Sequence, residues 1–456
     1  MKRTSIALLC TALLVLSACG SRVSDEAGTG QNLNGGGSEP AGGGDTGGDG
    51  GDGGDKIGTL DNPCSATKAK GAAAAGEAAP GVSADTIRIG VISDKKNDIT
   101  PVPTIGIEEA VKGFVAFCND SGGINGRQLD LKTYDSQIFK TDDVTKSACN
   151  DDLFALVGTG SVQDQQGVST REACDLPEVG AYSATPERST SKNFFQPVPG
   201  TRANLFNNGP CKYLKSKFPD AVKKAAVVYT DVPAASSRGL ATKEACTKAG
   251  FDFVVDKGIA FGEKNFGPVV SEMKSKKVEY FTIVSVVPDT AALLREMKNQ
   301  DYTPKVIDLG QQYYDEAMAA EPAADGAFVL TNTTPFAEED DSPALQLYTK
   351  WLEEEGGRPS SLGVQAFSAG LLFAQAAASL GNDLTRESLI AALEDIHEWD
   401  GGGLQMTTDP GAGTHNDCFL YLRITDGKFE RAFPDKGFEC DPENIVKLSG
   451  NYTTAG

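Results

Sequence analysis

The stretch DTIRIGVISD, residues 85–94, and the stretch FCNDSGGINGRQLDL, residues 117–131, decide the fold. Apolar residues alternate through the first stretch as in a β-strand, and between the two stretches they recur at the spacing of a helix face. The Gly122-Gly123 pair supplies a helix end, and a second strand pattern follows it. The order strand, helix, strand predicts a unit of two parallel strands joined by a crossing helix.

The same alternation of strand and helix patterns continues along the chain in two series. Residues 85–198 predict the first part of lobe 1, and residues 199–334, which open with a helical pattern over residues 205–218, predict lobe 2. Residues 335–402 add helices that return to lobe 1, and residues 403–456 add terminal strands that we expect on lobe 2. The predicted fold class is α/β, with two Rossmann-like lobes that have parallel central sheets.

The N-terminus has the pattern of an export signal. Lys2 and Arg3 precede an apolar run over residues 6–16, which is shorter than the ~20 residues that a membrane-spanning helix needs. The segment ends in Leu-Ser-Ala-Cys19 and resembles the bacterial lipobox, in which the cysteine receives a diacylglycerol anchor. We therefore expect a signal peptide over residues 1–18 and a lipid anchor on Cys19. An ordinary signal peptide before a chance cysteine is the alternative.

The segment after the signal has the composition of a tether. Residues 19–84 contain few aromatic or large aliphatic side chains and include the tract GGGSEPAGGGDTGGDGGDGGD, residues 35–55. Such a segment cannot bury enough apolar surface to offset the entropy lost on ordering. We therefore predict a lipidated N-terminus followed by a disordered tether that ends at residue 84.

The charge balance excludes one class of partner. The chain has 63 acidic and 42 basic residues, and its formal net charge is −21. A protein that binds nucleic acid neutralises phosphates with clustered Lys and Arg, and no such cluster occurs in the sequence. We expect no nucleic-acid partner, and we expect the folded part to act as a monomer.

The sequence lacks the motifs of the common catalytic and metal sites. We find no GxSxG elbow, P-loop, HExxH or paired CxxC motif, and the two histidines, His397 and His415, have no cysteine at ligand spacing. We therefore expect no metal, no cofactor and no enzymatic activity. An exported enzyme that uses paired carboxylates is the alternative.

The cysteine count agrees with export. Of the ten cysteines, Cys10 lies in the predicted signal and Cys19 carries the predicted lipid, which leaves eight. An even number in an oxidising compartment indicates up to four disulfides, and eight cysteines allow 105 pairings. Free buried cysteines are the alternative. The eight are Cys64, Cys118, Cys149, Cys174, Cys211, Cys246, Cys418 and Cys440.

Four segments together resemble the type 1 periplasmic binding proteins, and within them the branched-chain amino-acid (Leu/Ile/Val) receptor family. They are DTIRIGVISD, FCNDSGGINGRQLDL, YDSQ at residues 134–137 and FFQPVPG at residues 194–200. The resemblance covers nearly all of residues 85–435. It implies two lobes joined by three crossovers, which would fall near Pro197, Thr334 and Gly402, with the ligand in the cleft between the lobes.

The resemblance also implies a function. The chain is expected to be an extracytoplasmic substrate-binding lipoprotein of an ABC importer, on the outer face of the cytoplasmic membrane or in the periplasm. Its partners would be the permease subunits and a small polar solute such as an amino acid, an amide or a carboxylic acid. A ligand-binding sensor of the same fold without a transport role is the alternative.

One disulfide follows from the resemblance. Cys149 and Cys174 match a spacing at which the family joins the second and third helices of its first lobe. The other three pairings are suggested only by position along the chain. They are Cys211 with Cys246, Cys418 with Cys440, and Cys64 with Cys118.

Two loops in lobe 1 are candidates for binding a carboxylate, because open α/β sheets bind ligands at the carboxyl ends of their strands. Gly160 and Ser161 follow the third strand and precede a helix, whose free N–H groups favour an anion. The resemblance places Ser161 at a carboxylate-binding position, and Ser183 and Thr185 in a second such segment. The alternative is that Ser161 caps the helix and Thr185 starts a turn.

Lobe 2 departs from the family pattern. Amino-acid receptors place a carboxylate in a strand-end loop to pair with the ligand ammonium, but Gln311 and Gln312 occupy that region here. Asp231 and Asp289 lie at other strand ends and are candidates to replace it, or else they cap helices. A neutral amide, a carboxylic acid or an aromatic compound is therefore expected at least as readily as an amine.

Overall fold

The described part of the chain begins with a short hairpin. The protein is represented by a computed structural model that describes residues 56–65, 79–99 and 105–454. The hairpin consists of strands β1 (Lys56–Ile57) and β2 (Leu60–Asp61). The predicted signal peptide and lipidated Cys19 lie outside the described residues.

The hairpin departs from the prediction that residues 19–84 form a disordered tether. Ile57 is buried, and Cys64 forms a disulfide with Cys118 in the helix Ile105–Asp120 (α1). Gly58 lies so close to Gly402 that an added Cβ would stand 2.0 Å from the carbonyl oxygen of Gly402. Composition alone missed this order because a covalent bond and one buried side chain hold the segment.

The sheet of lobe 1 has five parallel strands. Its apolar residues are buried on both faces, as is usual when helices cover a parallel sheet on each side. The strand order is β4-β3-β5-β6-β7. The strands are β3 (Thr86–Ser93), β4 (Gln128–Asp135), β5 (Ala155–Thr159), β6 (Glu178–Gly180) and β7 (Phe194–Phe195).

Helices from both ends of the chain complete lobe 1. The N-terminal part of the chain supplies α1, α2 (Thr141–Asn150), α3 (Val168–Ala173) and α4 (Pro186–Ser189). A 3₁₀ turn over Asp164–Gly167 leads directly into α3.

Lobe 2 is built around a mixed eight-stranded sheet. Its parallel part has the order β10-β9-β11-β12-β13. The strands of this part of the chain are β8 (Leu205–Asn207), β9 (Ala225–Thr230), β10 (Phe253–Ile259), β11 (Tyr280–Val284), β12 (Val306–Leu309) and β13 (Phe328–Thr331). The helices are α5 (Gly209–Lys217), α6 (Pro233–Ala249), α7 (Gly267–Ser275), α8 (Val287–Asn299) and α9 (Glu316–Ala319).

Three further helices pack on lobe 1. They are α10 (Pro343–Glu354), α11 (Ser361–Ser379) and α12 (Arg386–Glu394). The helix α11 is long and apolar enough to cross a membrane, but nearly all of it is buried against α1 and the sheet. Among the described residues it is the only helix that passes this test.

The C-terminal strands extend the sheet of lobe 2. They are β14 (Cys418–Thr425), β15 (Lys428–Phe433), β16 (Glu439–Cys440) and β17 (Ile445–Lys447). Antiparallel pairing of β14 with β13 makes this sheet mixed, whereas the predicted central sheets were parallel. The Asp426-Gly427 turn joins β14 to β15, and both residues have the positive φ that a tight hairpin turn requires.

The helix predicted over residues 205–218 is wrong at its start. Residues 205–207 form β8, which pairs with β17 from the other end of the chain, and the helix α5 begins only at Gly209. The apolar spacing could not show a partner strand more than two hundred residues away. The helix α12 was missed, although Thr385 and Ser388 form a capping box at its start.

Three chain crossings connect the lobes and contact one another. The side chains of Gln405 and Thr408 both donate hydrogen bonds to the carbonyl oxygen of Pro197, over 2.7 and 2.5 Å. The backbone N–H of Thr334 donates to the carbonyl oxygen of Leu404 over 2.9 Å. The crossings therefore form one hydrogen-bonded hinge.

The eight described cysteines form four disulfides, and they are the pairs considered above. Besides Cys64–Cys118, they are Cys149–Cys174, Cys211–Cys246 and Cys418–Cys440. Each joins two neighbouring elements: α2 to the end of α3, α5 to α6, and β14 to β16.

A buried carboxylate in lobe 1 supports our first prediction. Glu178 in β6 is fully buried and pairs with Arg171, over 3.2 Å, and with Arg188. Replacing Glu178 by Gln would remove the carboxylate with which both buried guanidinium groups pair, so we expect the free energy of unfolding to fall by about 3–5 kcal/mol. Urea denaturation at neutral pH measures this quantity.

The matched control is Asp175→Asn. Asp175 pairs with Lys192 over 3.0 Å on the exposed surface, where such a pair contributes less than about 1 kcal/mol. Equal effects of the two substitutions would contradict the structural role given to Glu178.

Candidate ligand-binding site

A cavity of about 310 Å³ lies where the carboxyl ends of the lobe 2 strands face lobe 1. This is the edge at which open α/β sheets bind their ligands. Both lobes contribute to its wall. Lobe 1 supplies Val162, Tyr182, Ser183, Gln196, Leu362 and Gln365, and the strand ends of lobe 2 supply Thr230, Val284, Ser285, Gln311 and Gln312.

The cavity continues from the strand ends into lobe 2, between the sheet and the helices α5 and α6. The sheet contributes side chains from the face that also carries Tyr280: Thr282, Asp308, Leu330 and Tyr421. The helices contribute Cys211, Ala235, Arg238 and Thr242. The space exists because the first turns of α6 are rich in Ala, Ser and Gly, whose side chains cannot fill the gap above the sheet.

Two of the predicted site residues line this cavity. They are Ser183, whose hydroxyl is buried and has no hydrogen-bond partner among the described residues, and Gln312. Ser161 is buried beside the cavity residue Val162, and its hydroxyl lies 3.4 Å from that of Thr141. Gly160 packs under the ring of Tyr182, where an added Cβ would stand 2.4 Å from a ring carbon.

The hydroxyl of Thr185 has a structural role. This group donates to Asp164 over 2.6 Å and accepts from the N–H of Arg188 over 3.4 Å, which makes Thr185 the N-cap of α4. Burial raises the pKa of Asp164 to about 7. Thr185 is thus placed as the capping alternative predicts, and it is absent from the cavity wall.

The two aspartates proposed for lobe 2 lie off the cavity wall. Asp231 follows β9 on the exposed side, next to Gly258 of the edge strand β10. Asp289 is buried in the first turn of α8 and accepts a hydrogen bond from the N–H of Gly262 over 3.3 Å. Both aspartates lie at strand ends, as expected. The pleat of β9 and the first turn of α8, however, direct their side chains away from the cavity.

A carboxylate that we did not predict lines the cavity instead. Asp308 lies within β12, and its oxygens accept hydrogen bonds from Tyr280 over 2.5 Å and from Tyr421 over 2.9 Å. Burial raises the pKa of Asp308 to about 6, so the group is largely ionised at neutral pH. The sequence signal that could have identified Asp308 is a single aspartate inside an otherwise apolar strand.

Two nitrogen-bearing side chains on the wall were also missed. The guanidinium of Arg238 lies 4.3 Å from the ring centre of Phe206. Burial, with the charges of Arg238 and Arg202 nearby, lowers the pKa of His415 to about 4, so this imidazole is neutral at neutral pH. Both side chains come close only through the pairing of distant segments.

Side-chain amides link the lobes across the cavity. Asn332 donates to Gln311 over 2.7 Å, and Gln365 of α11 donates to Asn332 over 2.8 Å. At the cleft mouth, Phe139 of lobe 1 packs edge to face on Phe261 of lobe 2, with ring centres 5.5 Å apart. The lobes therefore touch on both sides of the cavity.

The described residues contain no group of three or more His, Cys, Asp or Glu side chains that could hold a metal ion. The cavity wall instead combines apolar side chains with a few polar groups. That combination is typical of sites for small organic molecules.

Comparisons with known proteins match this geometry. The family model described as "Periplasmic binding protein" matches residues 86–428. The chain is 23% identical to the Leu/Ile/Val-binding protein homolog 1 of Brucella abortus over 62% of its own length and 75% of that protein. It is 25% identical to the leucine-, isoleucine-, valine-, threonine- and alanine-binding protein of Pseudomonas aeruginosa, over 59% and 72% of the two chains.

Solved structures give the same fold. A fatty acid ABC transporter substrate-binding protein from Thermomonospora curvata aligns with a TM-score of 0.65 at 19% identity, over 78% of this chain and 94% of that one. An ABC transporter solute-binding protein from R. palustris, in complex with 4-hydroxybenzoate, aligns with a TM-score of 0.63 at 15% identity, over 78% and 98%. These likenesses confirm the predicted fold class. Because the family model spans most of the sequence, the chain belongs to the periplasmic binding protein family.

Proposed function

We propose that this protein is the ligand-capturing receptor of an ABC importer and that it delivers a small solute to permease subunits. The observation that carries the proposal is the cavity itself, because its wall comes from both lobes and the lobes are joined by a hydrogen-bonded hinge. A ligand that contacts both walls stabilises the closed arrangement over the open one. The receptor is proposed to work as a monomer.

The proposed solute is an amino acid, an amide or a carboxylic acid. The relatives are named for branched-chain and other amino acids, and the structural neighbours for a fatty acid transporter and a 4-hydroxybenzoate complex. Neither Asp231 nor Asp289 lines the cavity, and the carboxylate that does, Asp308, accepts hydrogen bonds from Tyr280 and Tyr421. The polar groups on the wall suit amides and acids at least as well as amines.

A thermal-shift screen of amino acids, amides, short acids and aromatic acids tests this proposal. A true ligand raises stability by mass action, by about 2.7 kcal/mol at a hundred times its Kd. The variant Ala235→Phe should lose the shift, because Ala235 lines the cavity and a phenyl ring would fill it. The matched variant Ala320→Phe, at an exposed position, should keep it. No shift with any class of solute would refute the proposal.

We also propose that a lipid on Cys19 holds the receptor at the outer face of the membrane. The lipobox-like ending Leu-Ser-Ala-Cys19 supports this, since two acyl chains suffice for stable anchoring. In cells that express the full chain, Cys19→Ala should move the protein from the membrane fraction to the soluble fraction. The control Cys10→Ala, within the predicted signal, should stay in the membrane fraction. Equal fractionation of both variants would contradict the anchor.

A further inference from the structure

The cavity wall contains one strong positive charge. Arg238 is the only Lys or Arg among its described lining residues, since His415 is neutral at neutral pH. Surrounding protein lowers the pKa of Arg238 to about 10, which still leaves the guanidinium charged at neutral pH. Its side chain remains accessible to solvent through the cavity.

This charge has no acidic partner in the described part of the chain. The guanidinium of Arg238 lies 4.3 Å from the ring centre of Phe206. Other guanidinium groups of the described chain differ. Arg171 and Arg188 pair with Glu178, and Arg202 donates to backbone and hydroxyl oxygens of Ser189 and Gly413.

The lack of a partner is notable in this sequence. Acidic residues outnumber basic ones by 63 to 42, so carboxylates are in surplus. A guanidinium in a cavity wall that is partly apolar attracts a counter-charge more strongly than one in bulk water does. Asp308, the one carboxylate among the described lining residues, forms no ion pair with Arg238 and accepts hydrogen bonds from Tyr280 and Tyr421. A negatively charged ligand would therefore supply the missing counter-charge.

The rest of the wall indicates what kind of chemical group the ligand carries beside its negative charge. The wall presents apolar surface from Phe206, Ile283, Leu330 and Phe419. The space between α6 and the sheet lies beyond the strand ends. A volume of about 310 Å³ holds about ten groups of the size of a water molecule. A small polar amino acid would leave much of this space empty.

Two buried polar atoms on the wall also lack partners. The hydroxyl of Ser183 and the side-chain carbonyl of Gln196 have no hydrogen-bond partner among the described residues, and both side chains are more than nine-tenths buried. Unsatisfied buried groups of this kind are costly, and a bound ligand or water would satisfy them. They provide polar contacts on the lobe 1 side of the cavity.

From these observations we infer that the cavity binds an organic monocarboxylate with an extended apolar body, and that Arg238 is its charge partner. The single guanidinium matches one negative charge and offers the paired N–H donors that a carboxylate accepts. The apolar body lies along the wall between α6 and the sheet. Asp308 disfavours a second carboxylate on the ligand. The inference rests on the proposed receptor function and narrows its ligand class.

Isothermal titration calorimetry with octanoate and phenylacetate, each beside its primary amide, tests the inference. The wild-type protein should bind at least one acid about tenfold or more tightly than the matching amide. Arg238→Gln should weaken binding of the acid by about 10–100-fold and remove its advantage over the amide. Arg238→Lys should retain part of the preference, because the charge remains.

The control is Lys243→Gln. Lys243 lies on the same helix and pairs with Asp256 outside the cavity, so the same loss of charge there should not alter binding. The free energy of unfolding of Arg238→Gln should equal or exceed that of the wild type, since no described carboxylate loses a partner. A large loss of stability would instead give Arg238 a structural role and overturn the inference.

The outcomes separate this inference from the receptor function. If the wild type binds amides or amino acids but prefers no acid, or if Arg238→Gln leaves acid binding unchanged, only the monocarboxylate assignment fails. If no solute in the wider screen binds at all, the receptor function fails as well.

Discussion

The carbonyl oxygen of Pro197 is the point on which the arrangement of the two lobes depends. It accepts hydrogen bonds from Gln405 and Thr408, and Thr334 of the remaining crossing bonds to the carbonyl of Leu404. Three segments that are far apart in sequence are thereby fixed to one another. With the crossings joined in this way, the strand ends of lobe 2 face lobe 1, and Gln365 donates a hydrogen bond to Asn332 across the cavity.

The hinge places a charged group where the packing of lobe 2 has left space. The first turns of α6 contribute small side chains above the sheet, so the gap is not filled by the protein itself. Arg238 extends from the same helix into that gap. One amphipathic anion would both fill the apolar space and pair with the guanidinium.

The sequence predicted those features that depend on local patterns. The strands and most helices of the parallel sheets follow from apolar periodicity, as the strand β3 and the helix α1 in the opening strand-helix-strand unit show. The strand β8, the ordered hairpin before residue 65 and the roles of Arg238 and Asp308 depend on partners far away in the chain. Strand ends were the correct place to look, but whether a side chain there faces the cavity depends on pleat and helix phase, as Asp231 and Thr185 show.

A crystal structure of the protein with octanoate or phenylacetate bound tests the role of Arg238 most directly. We expect a carboxylate oxygen within about 3 Å of a guanidinium nitrogen of Arg238, with the apolar part between α6 and the sheet of lobe 2. A carboxylate bound instead at the loop of Ser161, with Arg238 making no contact to the ligand, would contradict it.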